Sequence, residues 1–212
     1  MNLTAEDLES IAARTLAHYE QRAQAFWEGT RDHDVSQNIA ALLQYIEAPP
    51  PFELLDFGCG PGRDLKTFTQ LGHRATGVEG AARLAAMARS HSGCEVLQQN
   101  FLQLCLPDGR FDGVFANAAL FHVPSQELPR VLTELHATLK PGGVLFSSNP
   151  RADEHKGQEG WSGERYSAFH DWRTWREFLS AAGFVELTHY YRPTGLPCEQ
   201  QPWLASVWRK PV

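Results

Sequence analysis

The chain has 212 residues, 42% hydrophobic and 21% charged, with a formal net charge of −6. That is enough apolar material for one large α/β domain with a buried core, and an acidic balance of this size argues against a nucleic-acid surface, which needs a basic footprint. No apolar run approaches the roughly 18 residues of a membrane span, and the start, Met1 to Asp7, has no signal-peptide pattern. The four cysteines, Cys59, Cys94, Cys105 and Cys198, follow no C-x-x-C spacing. Reduced thiols in a cytoplasmic protein, no metal site and no membrane partner are therefore expected; nothing in the chain separates a monomer from a homodimer.

Leu8, Ile11, Ala12, Thr15, Leu16, Tyr19 and Ala23 recur at spacings of three and four, which predicts a helix over 4–28. Thr4 with Asp7 resembles a capping box. A polar turn, Gly29 to Asp34, interrupts the pattern, and helical spacing resumes through Ile39, Leu42, Leu43 and Ile46 until Pro49-Pro50-Pro51 ends it. Residues 1–48 read as a helical lid on the substrate side of a single domain spanning 1–212.

Strands are then expected at 52–56, 74–79, 95–98, 111–116 and 144–148, with helices at 63–71, 81–90, 126–139 and 171–182 between and after them. Short continuous apolar strands alternating with helices predict a mostly parallel sheet covered on both faces. Asn149 to His170 is polar and carries Gly157, Gly160 and Gly163. It reads as an irregular active-site loop, because a loop of about 20 residues in a compact domain usually has a function. Residues 184–191 and 203–208 alternate like an antiparallel hairpin.

The chemistry centres on Asp56-Phe57-Gly58-Cys59-Gly60-Pro61-Gly62-Arg63, where a strand passes through a glycine-rich turn into a helix. Such a loop presses backbone N–H groups against a ligand beside a positive helix terminus, and a nucleoside-containing cofactor is the natural guest. Arg63 stands where the dinucleotide pattern G-x-G-x-x-G/A needs a small residue, which argues against a nicotinamide oxidoreductase. Asp56 and Glu79 close successive strands, and a carboxylate at such a tip can accept from both ribose hydroxyls.

These residues, with Phe111 to Asn117 and Leu139-Lys140-Pro141-Gly142-Gly143, resemble the class I S-adenosylmethionine (SAM) dependent methyltransferases, and Ala118 to Pro124, Gly163 to Tyr166, Ala182 to Phe184, Trp203 to Val207 and Arg31 to Asp34 resemble a branch of small bacterial enzymes among them. The resemblance covers roughly residues 35 to 190. It implies a Rossmann-like seven-stranded sheet with an antiparallel last strand, SAM as methyl donor, and S-adenosylhomocysteine as product. It also implies cofactor contacts from Asp56, Gly58, Cys59, Gly60, Gly62, Arg63, Glu79, Gly80, Asn100, Phe101 and Asn117. Asn100 stands where the family usually carries an acid, and its side-chain oxygen can still accept from the adenine amine.

Methyl transfer asks the protein to align donor and acceptor and, for an amine or imidazole, to accept a proton. His122, His33 and Tyr19 are the candidates for that work, although His122 could instead bond a backbone carbonyl, His33 order a turn and Tyr19 belong to the core face of its amphipathic helix. Asp34, Asn38, Phe121, Asn149, Arg151, Trp161, Tyr166, Tyr191 and Arg192 are candidates for holding the acceptor, with Arg165, His170 and Tyr190 nearby in sequence. Asp34 could equally cap the following helix. Trp172, Trp175, Trp203 and Trp208 read as packing residues. Together these residues suggest N-methylation of a small polar molecule, amino-acid-like or imidazole-containing. S-, Se- or O-methylation and a catalytically silent SAM-binding module are the alternatives.

Overall fold

The central strand β1 (Glu53–Phe57) is apolar on both faces because helices cover both: Leu54 points to one layer and Leu55 to the other, and each is fully buried. The computed structural model describes residues 2–152 and 158–212; Met1 and residues 153–157, among them Gly157 of the expected loop, lie outside the description. The helices α1 (Ala5–Thr30) and α2 (Ser36–Leu43) precede β1. After it come α3 (Arg63–Gln70), β2 (Arg74–Glu79), α4 (Ala82–Ser92), β3 (Glu95–Gln98), β4 (Phe111–Asn117), α5 (Leu128–Thr138) and β5 (Leu139–Pro150). The chain closes with β6 (Gln158–Ser162), β7 (Arg165–Phe169), α6 (Trp172–Ala181), β8 (Val185–Arg192) and β9 (Trp203–Arg209).

Seven strands form one sheet in the order β3-β2-β1-β4-β5-β9-β8. β9 runs antiparallel to both β5 and β8, so only the last strand is reversed, as the resemblance implies. On one face, Leu55, Val114 and Leu145 pack against α5 and α6 through Leu132, Leu135, Trp175 and Leu179. On the other, Leu54, Phe115 and Phe146 pack against Ile39 and Leu42 of α2 and Phe68 of α3. The order reverses beside β1, so the crevice at the carboxyl ends of β1 and β4 is where a doubly wound sheet opens to a ligand.

Helix α1 begins where expected: Thr4 Oγ1 accepts from Asp7 N–H, and Asp7 Oδ2 accepts from Thr4 N–H. Two expectations need correction. The fifth strand, expected at 144–148, starts earlier: Leu139 already pairs with Phe111, and a register shift absorbs residues 140–143 before Val144 pairs with Gly113. The segment expected as an irregular loop contains a two-stranded hairpin, β6–β7, in which Ser162 pairs with Arg165 across Gly163-Glu164. Gly163, at φ +62°, opens a two-residue connection that favours glycine first. Alternation in β7 was masked because its outward residues are Arg165 and Phe169 while Ser167 is buried. Among the described residues no helix is long and apolar enough to cross a membrane.

At the centre of β9, Ser206 is fully buried and accepts from the indole N–H of Trp208 at 2.8 Å and of Trp175 at 3.1 Å. With both lone pairs used, its own hydroxyl donates to Ser147 Oγ at 3.0 Å. Ser206→Ala strands two buried donors and is expected to lower stability by about 2–4 kcal/mol in chemical denaturation.

Candidate active site

The crevice is built from β1 outward. Gly58, Gly60 and Gly62 all have positive φ, and Gly62 is the residue from which α3 starts. A Cβ on Gly58 would stand 2.6 Å from Ala119 Cβ, in the loop that follows β4, so glycine lets the two strand-tip loops touch. Glu79, at the tip of β2, ties this loop to the next: its Oε2 accepts from Gly60 N–H at 3.0 Å and its Oε1 from Ala81 N–H at 2.8 Å. Burial raises the Glu79 carboxyl to about 6, and the backbone donors limit the rise. Each oxygen keeps a second lone pair for a ligand hydroxyl.

A cavity of about 690 Å³, counting its mouth, lies against this edge. Its polar lining is Glu79, Asn100, Tyr19, Thr15 and His122, with Gly58, Gly60 and Gly80 as the floor. Asn100 Oδ1 faces the N–H of Leu102 at 3.0 Å, which assigns the oxygen to that side and leaves the amide nitrogen as a donor. The sequence expectation of Asn100 as an acceptor is thus only partly met: the first lone pair of Oδ1 is already used. Phe101 stacks on Phe57 at 4.2 Å and supplies an apolar wall.

The opposite wall is α1. Ile11, Ala12, Thr15, Leu16 and Tyr19 line the cavity, and Leu16 Cδ2 lies 2.5 Å from where a Cβ on Gly80 would stand. Of these only Tyr19 was expected at the site. The amphipathic spacing of α1 was readable in the sequence, but spacing does not say which surface an apolar stripe covers.

A second, wider cleft of about 1480 Å³, counting open solvent, adjoins the first and shares Tyr19, Phe26, Gly58, Gly60 and Ala118 with it. Ala118 sits at the junction with φ +59°, a left-handed conformation costly for a residue with a Cβ and typical of strained functional positions. The cleft is also lined by His33, Asp34, Asn117, Phe121, Arg63, Arg165, Arg192 and Trp203.

At the junction three side chains form an ordered chain. His122 Nδ1 lies 2.8 Å from the Tyr166 carbonyl and its Nε2 2.8 Å from the Tyr19 hydroxyl. A carbonyl only accepts, so Nδ1 carries the hydrogen; burial lowers the imidazole to about 4, so it is neutral and Nε2 is a lone pair. Arg165 donates to the Tyr19 oxygen at 3.3 Å. The Tyr19 hydrogen is therefore directed at His122, and the phenolic oxygen is held between a cation and a proton acceptor. The backbone-carbonyl alternative for His122 is what the structure shows, at Nδ1, while Nε2 faces the Tyr19 hydroxyl.

Several expected residues lie elsewhere or act differently. Arg151 donates to the carbonyls of Gln201 and Cys198 and lies over Tyr191; neither Arg151 nor Tyr191 lines the cleft, although their neighbours Arg192 and Trp203 do. Trp161 is 41% exposed on the outside of the hairpin, covered by Arg14 at 3.8 Å. Tyr166 contributes its backbone, while its hydroxyl donates to Glu159. Asn38 is fully buried, donating to Asn117 Oδ1 and accepting from Tyr190, so it supports Asn117 from behind. Cys59 turns its thiol into the α3–α4 core beside Gly77. Asp56 lies under the loop, 2% exposed, and lines neither cavity. Burial and the neighbouring Asp64 raise its carboxyl well above the usual range. Arg63 pairs bidentately with Asp64 and donates to the Thr30 carbonyl, fastening the end of α1 to the glycine loop. Asp34 accepts from Ser36 N–H at the start of α2 and also borders the cleft. His33 is exposed at the cleft rim. Trp203, expected to pack, borders the cleft. Trp172 stacks on His189 at 3.9 Å, as packing requires.

Residues 55–147 match a family model described as a methyltransferase domain. The chain is 35% identical over 128 residues to the 24-methylenesterol C-methyltransferase 2 of Oryza sativa, a match covering 57% of this chain and 33% of that protein. It is 33% identical over 105 residues to the malonyl-[acyl-carrier protein] O-methyltransferase of Pectobacterium atrosepticum, over 49% and 41% of the two chains. The chain thus spans about a third of the length of the first curated relatives it matches. Among solved structures it is similar to the 1,6-didemethyltoxoflavin-N1-methyltransferase of Burkholderia thailandensis, solved with 1,6-didemethyltoxoflavin and S-adenosylhomocysteine. That likeness has a TM-score of 0.81 and 24% identity, and covers 100% of this chain and 93% of the other.

The buried Glu79 carboxyl makes stability pH-dependent. Its folded value of about 6 lies above its ordinary 4.5, so the native state binds the proton more tightly than the unfolded state. Stability is full below about 4.5 and falls by about 2 kcal/mol as pH rises through about 6. Glu79→Gln is expected to flatten this part of a pH series of denaturation midpoints.

Proposed function

We propose that this chain is a class I SAM-dependent methyltransferase, a reading supported by its fold and by the methyltransferase-domain match over residues 55–147, and that it methylates a nitrogen on a small polar acceptor that carries a carboxylate. The observation that supports this reading best is the junction itself: a cavity lined by Glu79 and the glycine loop and an arginine-lined cleft meet at Tyr19, Gly58 and Ala118.

The cavity suits SAM. Glu79 has two spare lone pairs for the ribose hydroxyls, Asn100 has a donor for the adenine edge, and Phe101, Leu102, Ile11 and Leu16 offer apolar contact to its faces. Bound there, SAM supplies an electrophilic methyl on a sulfonium. The protein's part is alignment, exclusion of water and proton acceptance. Helix α1 and the β6–β7 hairpin cover the junction and limit water. Arg165 and Arg192 line the cleft and can hold a carboxylate through charge-assisted hydrogen bonds; Arg151, expected for the same task, is engaged at the β8–β9 end. As the acceptor nitrogen gains the methyl, its N–H proton passes to the Tyr19 oxygen while the Tyr19 proton passes to His122 Nε2. The imidazole ends as a cation facing the Tyr166 carbonyl. A solved structure similar over the whole chain is named as an N1-methyltransferase, which supports nitrogen in this reading. A hydroxyl acceptor could use the same proton path, and O-methylation is the second reading. A free small molecule rather than a nucleic acid or membrane is the partner we infer, consistent with the −6 net charge.

Incubation with methyl-labelled SAM and a soluble metabolite extract, read by mass spectrometry, is expected to label a small anionic molecule on nitrogen. Label confined to protein or nucleic acid overturns the reading. With that acceptor, Tyr19→Phe is expected to lower kcat about 100-fold with little change in SAM KM. Arg192→Ala is expected to raise acceptor KM about tenfold with kcat nearly unchanged.

A further inference from the structure

Tyr166 lies in β7 opposite Trp161 of β6, yet it turns both backbone groups out of the hairpin. Its N–H donates to Thr15 Oγ1 on α1 at 3.1 Å, and its carbonyl accepts from His122 Nδ1 at 2.8 Å. In an antiparallel pair this happens at the alternate positions that the ladder hydrogen bonds skip. The free edge of the hairpin is therefore seated between α1 and the loop that carries His122. That seat decides which ring nitrogen holds the hydrogen. A carbonyl only accepts, so it keeps the hydrogen on Nδ1 and leaves the Nε2 lone pair facing the Tyr19 hydroxyl at 2.8 Å. With the hydrogen on Nε2 instead, the imidazole has no lone pair toward Tyr19 and cannot take its proton. Asn149 and His170 border a separate small space behind Phe121 and take no part in this seat.

A residue outside the cleft fastens the hairpin to the His122 loop. Glu159, in β6, lines neither the cofactor cavity nor the cleft. Its Oε1 accepts from Ser125 N–H at 2.9 Å and from the Tyr166 hydroxyl at 3.0 Å. Ser125 follows His122 by three positions, so one carboxylate oxygen ties both strands of the hairpin to that loop. Hydrogen bonds to a carboxylate are the stronger kind. The other polar ties of the hairpin at the junction, Tyr166 to Thr15 and Arg165 to Tyr19, go to α1. Phe169 packs on Phe121 with ring centroids 5.9 Å apart and adds an apolar contact to the same loop.

We propose that Glu159 is a positioning residue for methyl transfer: by clamping the β6–β7 hairpin to the His122 loop, it holds the Tyr166 carbonyl on His122 Nδ1 and so fixes the tautomer that receives the Tyr19 proton. It touches neither methyl donor nor acceptor. The proposal rests on the methyl-transfer reading, in which His122 takes that proton.

The test reads both ring nitrogens of His122 by nitrogen NMR of the full chain carrying isotope-labelled histidine, with His122→Gln to assign the signals. The parent protein is expected to show one N–H, on Nδ1, and a bare Nε2. Glu159→Ala is expected to mix the two tautomers and draw the two nitrogen signals together. Glu159→Gln, whose amide oxygen can accept the same two bonds, is expected to keep the parent pattern. The rate of label transfer from methyl-labelled SAM into the metabolite extract is expected to fall about tenfold in Glu159→Ala and to return in Glu159→Gln. S-adenosylhomocysteine affinity is expected to match the parent in both, which also reports folding. A parent-like His122 pattern in folded Glu159→Ala overturns the proposal, as does an equal loss of rate in both variants. Should Glu159→Ala not fold, Tyr166→Phe removes one of the two bonds to Glu159, and an unmixed tautomer there overturns the proposal in the same way. A parent protein that transfers no label overturns the methyl-transfer reading instead, and the NMR pattern still decides whether Glu159 sets the tautomer.

Discussion

The site depends on one buried carboxylate. Glu79 holds the glycine loop after β1 and the loop after β2 at fixed separation, because each of its oxygens accepts a backbone N–H from a different loop. The start of the turn is also tied to β2, because Gly58 and Cys59 N–H both donate to the Val78 carbonyl, and Glu79 extends that attachment to Gly60. The arrangement carries an energetic cost, since the charge is nearly buried. It is offset by donors that cannot move away, and this is the condition under which a polar site stays preorganised for a ligand.

Around that anchor the fold adds two covers that depend on each other. Helix α1 lines the cofactor cavity, and its Thr15 hydroxyl accepts from Tyr166 N–H at 3.1 Å. The same residue's carbonyl fixes His122, and its neighbour Arg165 reaches Tyr19 on α1. Hairpin and helix therefore set each other's geometry, and the Arg165–Tyr19–His122 hydrogen-bond chain at the junction needs both in place.

What could be read from the sequence followed distance along the chain. The capping box at Thr4, the parallel sheet and the glycine loop are patterns within a few residues, set by local sterics and burial, and they stand in the structure as read. Glu79 was legible because a strand tip places its terminal residue at the sheet edge. Tyr19 and His122 were named separately, but their hydrogen bond spans 103 positions, and no local spacing encodes it. Arg151 and Trp161 were misplaced for a related reason. Their residue types suit a pocket, but their directions depend on the β8–β9 end and on Arg14, which only tertiary packing brings close. The β6–β7 hairpin escaped notice because a partly covered strand beside a site mixes polar and apolar residues on both faces.

The buried clusters on the two faces of the sheet contain no residue of α1; its Ala23 belongs to a small separate cluster with Ala81 and Leu84. The element that completes the site is thus nearly absent from the core that holds the fold together. Cooperative stability resides in the sheet and its covering helices, while the N-terminal helix is attached by a thin contact set and a few hydrogen bonds. Elements attached in this way open at lower free energy than the whole molecule unfolds. A chain so divided can admit and release ligands by lifting one helix, with its architecture otherwise undisturbed.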